Sequence, residues 1–396
     1  MQLHSLAIPL CLRGFASDAP ADQAFDITLQ GPVVAAITPV AGPPQGMLLS
    51  ACVDAHVHLD KNYAVESVGG AEGDLMTAIT RMGRFMADEG VATLQPRMER
   101  ALQEAYACGT RAMRTHLNWE QAAAPAALPV FAQVQAVWRG RVDLQWVSLT
   151  PLDLFADAAV GDAIAQSVRA GGGVLGAFVY RNADLQAKLQ RVFTLAKQYG
   201  LALDFHVDEG LDADATGLHS IAQLTLDYGL QGRVVCGHVC SLSAQPVAQA
   251  QDTLALCARA GIYLVALPTT NLYLQGAWDG TPVERGITRL KEAAAHGIPA
   301  CIATDNVADA FYPYGSYDLL DSFALGVQMA HLAPAQDWLA SITTHPAAAL
   351  GLAWDGRIAP GCPADLVVLA ARSGYELLTP RARQRTVLRG GQALRD

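Results

Sequence analysis

Two histidines one residue apart, in the run Asp54-Ala-His-Val-His-Leu-Asp60-Lys61, are the first residues in this chain whose types and spacing could do chemistry. If that run ends a β-strand, His56 and His58 project to the same face and can reach one metal ion. Only ten histidines are present, and three others fall at the ends of apolar runs: His116, His206 and His238. Asp305, in Ala303-Thr-Asp-Asn306, follows a further such run. Two imidazoles from one strand, a third from His206 and the carboxylate of Asp305 make a mixed nitrogen and oxygen donor set. Such a set suits one Zn or Fe ion with a position left open for water. A metal of this kind lowers the pKa of its water to about 7, which supplies hydroxide at neutral pH. Turnover then needs a proton carrier. Glu209 stands three residues after His206, with Asp208 as its competitor, and spacing alone does not decide between them. His238 is placed to orient the hydroxide or to stabilise charge developing on the substrate.

Residues so far apart can share a site only if the fold gathers them. Eight apolar runs read as buried strands: Leu48–His56, Thr110–His116, Asp143–Leu149, Gly173–Tyr180, Ala202–His206, Arg233–His238, Ile262–Leu267 and Pro299–Thr304. Helical stretches lie between them, at 74–90, 184–200 and 285–297, and the last two end in Gly, which suits a helix C-terminus. Eight near-continuous apolar strands alternating with helices predict a closed parallel (β/α)8 barrel, whose strand C-termini open on one mouth. A doubly wound open sheet would need a glycine-rich phosphate loop after its first strand, and residues 54–63 do not supply one. Both chain ends are β-like, with Gly and Pro between short apolar pieces. Each end alone would leave strand edges exposed, so the two are expected to meet in one β-sandwich. The expected division is a sandwich from residues 1–50 and 352–396 and a catalytic barrel from 51–351.

Composition narrows the function classes. Hydrophobic residues make up 52% and charged residues 16% of the 396, so a large core forms and little disorder is expected. A net charge of −10 argues against nucleic acid as a partner, because phosphate binding needs clustered Lys and Arg. No apolar run reaches the roughly 18 residues that span a bilayer, and no signal peptide is evident, so a cytoplasmic location is expected. The eight cysteines are irregularly spaced and read as free thiols in a reducing compartment; Cys236 and Cys240 beside His238 are read as structural. The partner expected is a small heterocyclic substrate, with neither nucleic acid nor membrane, and a homo-oligomer is open.

The motifs together resemble the amidohydrolase superfamily, in its cytosine deaminase-like branch. The resemblance covers almost the whole chain: residues 54–61, 114–116, 205–209, 237–238, 271–292 and 303–315, with His345-Pro-Ala-Ala-Ala-Leu-Gly and Pro363-Ala-Asp-Leu-Val-Val-Leu near the end. It implies His56, His58, His206 and Asp305 as metal ligands, Glu209 as proton shuttle and His238 as polarising histidine. It implies one metal, because the lysine that two-metal members carry after the fourth strand is absent from Gly176-Ala-Phe-Val-Tyr-Arg181. The activity implied is hydrolytic deamination of an aminated nitrogen heterocycle. The cytidine-type deaminase signature, H-x-E with P-C-x-x-C, is absent. Two departures bear on the substrate. No glutamine follows the third strand, where Ser148-Leu-Thr-Pro151 stands, and the residue after Asp305 is Asn306 rather than a second aspartate. Asn306 and Lys61 are also found in N-isopropylammelide hydrolase-like members, so removal of an alkylamine, or opening of a cyclic amide, is the alternative. A non-catalytic scaffold relative is the remaining reading; such relatives lose ligands, and this chain keeps them. Expected substrate contacts are Asn306, Phe311, Gln275, His116, Lys61 and Trp278.

Overall fold

The computed structural model describes residues 1–16, 18–70 and 73–394; Arg395 and Asp396, at the end of the C-terminal segment, lie outside them. Fifteen strands fall into two sheets among these residues. The chain ends supply seven: β1 (Gln2–Ala7), β2 (Ala24–Gln30), β3 (Val33–Val40) and β4 (Gly46–Ser50), then β13 (Leu366–Leu369), β14 (Arg385–Arg389) and β15 (Gln392–Ala393). Between them run β5 (Cys52–Val57), β6 (Thr110–Asn118), β7 (Asp143–Leu149), β8 (Val174–Val179), β9 (Leu203–Val207), β10 (Val234–His238), β11 (Tyr263–Ala266) and β12 (Ala300–Ile302).

The terminal sheet has the order β15-β14-β13-β4-β1-β2-β3. Its seam is the antiparallel pairing of Leu49 with Val367 and of Leu48 with Val368, which joins the two chain ends as expected. One expected strand divides in two. Leu48–His56 is not continuous: β4 belongs to the terminal sheet, and the barrel strand begins at Cys52. Apolar run length could not show this break, because Leu48, Leu49, Ala51 and Val53 are equally buried in two different layers.

The other eight strands are parallel neighbours in chain order, β5 through β12. The barrel closes where the Asp305 N–H donates to the His56 carbonyl at 2.9 Å. A barrel of this type is normally filled by layers of branched apolar side chains. Here alternation turns Asp54, His56 and His58 one way on β5, Arg114 and His116 on β6, and Asp204 and His206 on β9. These polar groups fill the interior in two layers. In the lower one, Arg114 Nη1 donates to Asp204 Oδ2 at 2.9 Å and its Nε to Gln145 Oε1 at 3.0 Å. The upper one holds the histidines. The apolar faces of the same strands turn outward onto helices such as Leu94–Cys108, Leu185–Tyr199 and Val247–Ala260, where Met98, Phe193 and Leu254 are fully buried. Among the described residues no helix is long and apolar enough to cross a membrane.

Two of the expected helices form, as Leu75–Asp88 and Leu185–Tyr199. The third is shorter than expected: only Leu290–Ala295 is helical. The preceding residues are held out of helix by their own side chains. Arg285 donates to the Leu272 carbonyl at 3.0 and 2.8 Å, and Arg289 to the carbonyls of Leu242 and Gln245.

Candidate metal centre and active site

Four ring and carboxylate groups converge at the C-terminal ends of β5, β9 and β12. His56 Nε2 lies 3.1 Å from His206 Nε2, which lies 3.3 Å from His58 Nε2. Asp305 Oδ1 is 3.1 Å from His58 Nε2 and 3.6 Å from His56 Nε2. Four of the six edges of one tetrahedron are thus 3.1–3.6 Å long. Ligands at 2.0–2.1 Å around a tetrahedral cation have edges of about 3.3–3.4 Å. Hydrogen bonds among the four cannot account for the arrangement. His58 directs its Nδ1 to the His116 carbonyl at 3.3 Å, which leaves its Nε2 facing the cluster, and the far nitrogens of His56 and His206 are buried without a partner among the described residues. Both Asp305 oxygens are buried without a hydrogen-bond partner among the described residues. A cation between these atoms would satisfy all of them, so the residues fit a metal.

Protonation supports the same fit. Burial, reinforced by the neighbouring rings, holds His56, His116 and His206 well below the usual histidine range, so each is a neutral imidazole. Burial raises the Asp305 carboxyl, yet the His58 and His238 rings outweigh it and hold the group below its ordinary value. Neutral imidazoles and an ionised carboxylate are the states that coordinate metal.

Backbone geometry aims these groups. Asp208, His238, Val239 and Asp305 all have left-handed φ, at 50°, 67°, 49° and 63°. Non-glycine residues in this region cost on the order of 1–3 kcal/mol each, and such strain gathers at functional sites. Thr304 anchors the Asp305 turn by donating from Oγ1 to Asp54 Oδ2 at 2.6 Å. Gly237 must be glycine: a Cβ there would stand 2.9 Å from both Cε1 and Nδ1 of His56.

Glu209 and His238 sit beside this cluster. His238 Nδ1 is 3.2 Å from Glu209 Oε1, and both side chains are buried. Burial, then the nearby Asp305 carboxylate, pushes Glu209 well above the ordinary range, against the opposing Lys61 ammonium. Burial lowers His238 to about 4. Asp208, the competitor left open by spacing, turns the other way. Its oxygens accept from the Gly217 N–H at 3.2 Å and the Leu218 N–H at 2.9 Å, at the start of helix Gly217–Tyr228.

A cavity of about 660 Å³ opens over the cluster, with His58, His206, Glu209, His238 and Asn306 in its floor. Lys61 lines it, donating from Nζ to Asn118 Oδ1 at 3.3 Å and lying 4.6 Å from the centre of the Phe311 ring. Phe178 closes the side next to His206, where its strand position pairs with that residue. Helix Leu75–Asp88 roofs the cavity with Leu75, Ile79, Met82 and Met86.

Three expected substrate contacts fall elsewhere. His116 is fully buried beneath the floor, its ring stacked on His56 with centroids 3.9 Å apart, and it does not line the cavity. Gln275 lines a neighbouring cavity of about 490 Å³ and donates to the Glu209 carbonyl at 3.3 Å. Trp278 is 41% exposed and packs edge-on against Tyr273, outside the cavity. Trp119, which follows His116, is also outside it, stacked on Trp146 in the core.

Sequence reasoning missed Asp309 and Asn271. Asp309 is buried and orders the Asn306–Tyr312 turn, accepting from Asn306 Nδ2 at 2.6 Å and from the N–H groups of Phe311 and Tyr312. Asn271 touches both Glu209 and His238. Its signal was its place just after the seventh barrel strand, where a polar residue at the mouth is a candidate for the site.

Comparison with known proteins agrees with this geometry. A family model described as Amidohydrolase family matches residues 101–393. The pterin deaminase of Rhizobium rhizogenes is 40% identical over 353 residues, covering 88% of this chain and 80% of that protein. The N-isopropylammelide isopropyl amidohydrolase of a Pseudomonas species is 24% identical over 365 residues, covering 86% and 84%. In fold, the crystal structure of 5-methylcytosine deaminase from Klebsiella pneumoniae superposes with a TM-score of 0.85 at 24% identity, over 100% of this chain and 97% of that one. The polar-filled barrel, its histidine and aspartate cluster and the family match together place this chain in the amidohydrolase family, as a hydrolase acting on carbon–nitrogen bonds.

Proposed function

We propose that this protein removes ammonia hydrolytically from an amino-substituted nitrogen heterocycle, with one divalent metal, Zn or Fe, held by His56, His58, His206 and Asp305. The observation that carries the reading is the Glu209–His238 pair, buried 3.2 Å apart beside four convergent donor atoms, in the floor of a substrate-sized cavity. When bound, the metal supplies Lewis acidity, which makes water available as hydroxide near neutral pH. Glu209 takes one proton from the attacking water and gives it to the ring nitrogen, then takes the second from the hydroxyl of the tetrahedral carbon and gives it to the amine, which leaves as ammonia as the C=O bond forms and the C–N bond breaks. His238, neutral at working pH, faces the reacting oxygen and leaves the proton traffic to Glu209. The segment Gly176–Arg181 at the end of the fourth barrel strand has no lysine, the residue that two-metal relatives carry there, which supports a single ion.

The cavity, at about 660 Å³, has room for a bicyclic ring with a substituent. The relative at 40% identity is a pterin deaminase, and a 2-amino-4-oxo pteridine is the substrate class we favour. Lys61 and Asn306 would read ring oxygen and nitrogen, and Phe311 would pack on the ring face. The cytosine-type substrate is second, and an alkylamine leaving group is the alternative that the methionine-rich roof could accommodate. Ammonia release from pterins, cytosine, 5-methylcytosine and isoguanine, beside amine release from alkylaminotriazines, tests the reading. Ammonia from a pteridine at the highest kcat/KM is expected. Amine from the triazines with no ammonia from any amino-heterocycle overturns it.

A further inference from the structure

Asn271 lies on helix Pro268–Leu274 and is 2% exposed. Its Nδ2 is 3.1 Å from His238 Nδ1 and 3.5 Å from Glu209 Oε1, and these two atoms are 3.2 Å from each other. The three groups form a closed triangle around one ring nitrogen. A neutral imidazole carries one proton, so its two nitrogens are a donor and an acceptor, and neighbours choose which is which.

The neighbours pull in opposite directions. An ionised Glu209 can only accept, so it favours a proton on His238 Nδ1. The Asn271 NH2 can only donate, so it favours a bare Nδ1. The outcome decides what the far side of the ring presents. His238 Nε2 is buried, has no hydrogen-bond partner among the described residues and lies in one cluster with His56 and His206. A proton there is a donor to the reacting oxygen. A lone pair there would repel that oxygen or compete as an extra ligand.

We propose that Asn271 is a positioning residue that holds His238 in its Nε2–H tautomer against the pull of Glu209, so that His238 donates to the oxygen at the tetrahedral carbon. The inference rests on the deaminase reading for the use made of the proton, but not for its location. The opposite amide orientation would set Oδ1 against the Glu209 oxygen at 3.5 Å, two acceptors facing each other whenever Glu209 is ionised. The helix fixes the main chain at Asn271, with the Asn271 N–H on the Leu267 carbonyl and the Gln275 N–H on the Asn271 carbonyl, each at 3.0 Å. Once Glu209 has taken a proton it becomes a donor itself, and Nδ1 remains an acceptor. The assigned tautomer therefore survives the proton transfer, and Asn271 matters most while Glu209 is ionised.

The test compares Asn271→Asp with Asn271→Ala in zinc-reconstituted enzyme. Aspartate keeps the shape and reverses the hydrogen-bond polarity; alanine removes the bias. kcat is expected to fall about 10-fold to 100-fold in Asn271→Ala and at least about 1,000-fold in Asn271→Asp, with KM changed little. A residue that only fills space gives the reverse order, and that order overturns the proposal. The second readout is the ¹⁵N spectrum of histidine-labelled protein, with His238 assigned by its loss in His238→Gln. A protonated Nε2 and a bare Nδ1 are expected in the unsubstituted enzyme, and a protonated Nδ1 in Asn271→Asp. A protonated Nδ1 in the unsubstituted enzyme overturns the proposal, and this spectrum decides the matter alone if Asn271→Asp does not fold. An enzyme with the expected spectrum but no activity on any amino-heterocycle retires the deaminase reading and leaves the tautomer assignment standing.

Discussion

Glu209→Gln separates proton transfer from everything else at this site. The substitution replaces one carboxylate oxygen by NH2 at nearly constant volume, in a side chain that touches His238 and Asn271 and contributes no atom to the four-donor cluster. Metal content should therefore stay near one ion per chain. Turnover should not survive. A single positioned acid–base group is worth about 100-fold to 10,000-fold, and an amide takes up no proton. Glu209 is asked to serve twice, for the attacking water and for the departing amine, so the loss falls at the upper end. A fall in kcat of about 1,000-fold to 10,000-fold is expected, roughly 4–5.5 kcal/mol of barrier at 1.36 kcal/mol per decade. Stability should move the other way. Burial and the Asp305 carboxylate disfavour an ionised Glu209 in the fold, and a neutral amide removes that disadvantage, so the melting temperature should hold or rise. Coupled ammonia release, plasma mass spectrometry for metal and thermal melting measure the three quantities. Activity within tenfold of the parent, at full metal content, would remove Glu209 from the proton path.

Four further outcomes follow from the geometry. Asp208→Asn keeps an oxygen acceptor for the Gly217 and Leu218 N–H groups and should leave kcat within about threefold, since Asp208 faces helix Gly217–Tyr228 rather than the cluster; a loss as deep as that of Glu209→Gln would reassign the shuttle. Gly237→Ala places a Cβ against His56 and should abolish metal retention while far-ultraviolet circular dichroism stays unchanged; normal metal content would show that the ring can yield. Stripping the metal with a chelator should lower the melting temperature by a few degrees, with recovery on adding zinc, because an ion that binds only the folded chain at 100 times its Kd adds about 2.7 kcal/mol; unchanged melting would deny that these donors hold an ion in the native state. All eight cysteines are free, and burial raises the thiols: Cys11 to about 11, Cys52, Cys108 and Cys257 to about 12. Because only the thiolate reacts, a raised value means less thiolate at pH 8, and labelling by a disulfide reagent should be roughly 100-fold slower than for a free thiol at Cys11 and roughly 1,000-fold slower at Cys52, Cys108 and Cys257, quickening as pH rises; rapid labelling of these four at pH 8 would contradict the burial.

The local chemistry of this protein is legible in its amino-acid sequence. A strand has period two, so His56 and His58 had to share a face, and eight apolar runs alternating with helical stretches admitted little besides a parallel barrel. Strand ends in such a barrel face one mouth, which is why His206, His238 and Asp305 could be grouped with a histidine pair far from them in the chain. Other features are decided only in three dimensions. Burial is the same in two layers, so the break between Ser50 and Cys52 left no mark in hydropathy. Glu209 and Asp208 are adjacent in the chain, and only the left-handed turn at Asp208 sends one carboxylate to a helix start and leaves the other beside His238. His116 ends an apolar run as His206 does, yet its strand continues to Asn118, and its ring stacks on His56 instead of lining the cavity. Gln275 and Trp278 lie on an irregular segment whose path is set by arginines reaching distant carbonyls, and no period in the sequence encodes such long-range bonds. Periodicity thus determined which residues share a face. Which atoms come within bonding distance depended on where each strand ends, turn conformation and side-chain bonds across the barrel, all of them properties of the closed fold.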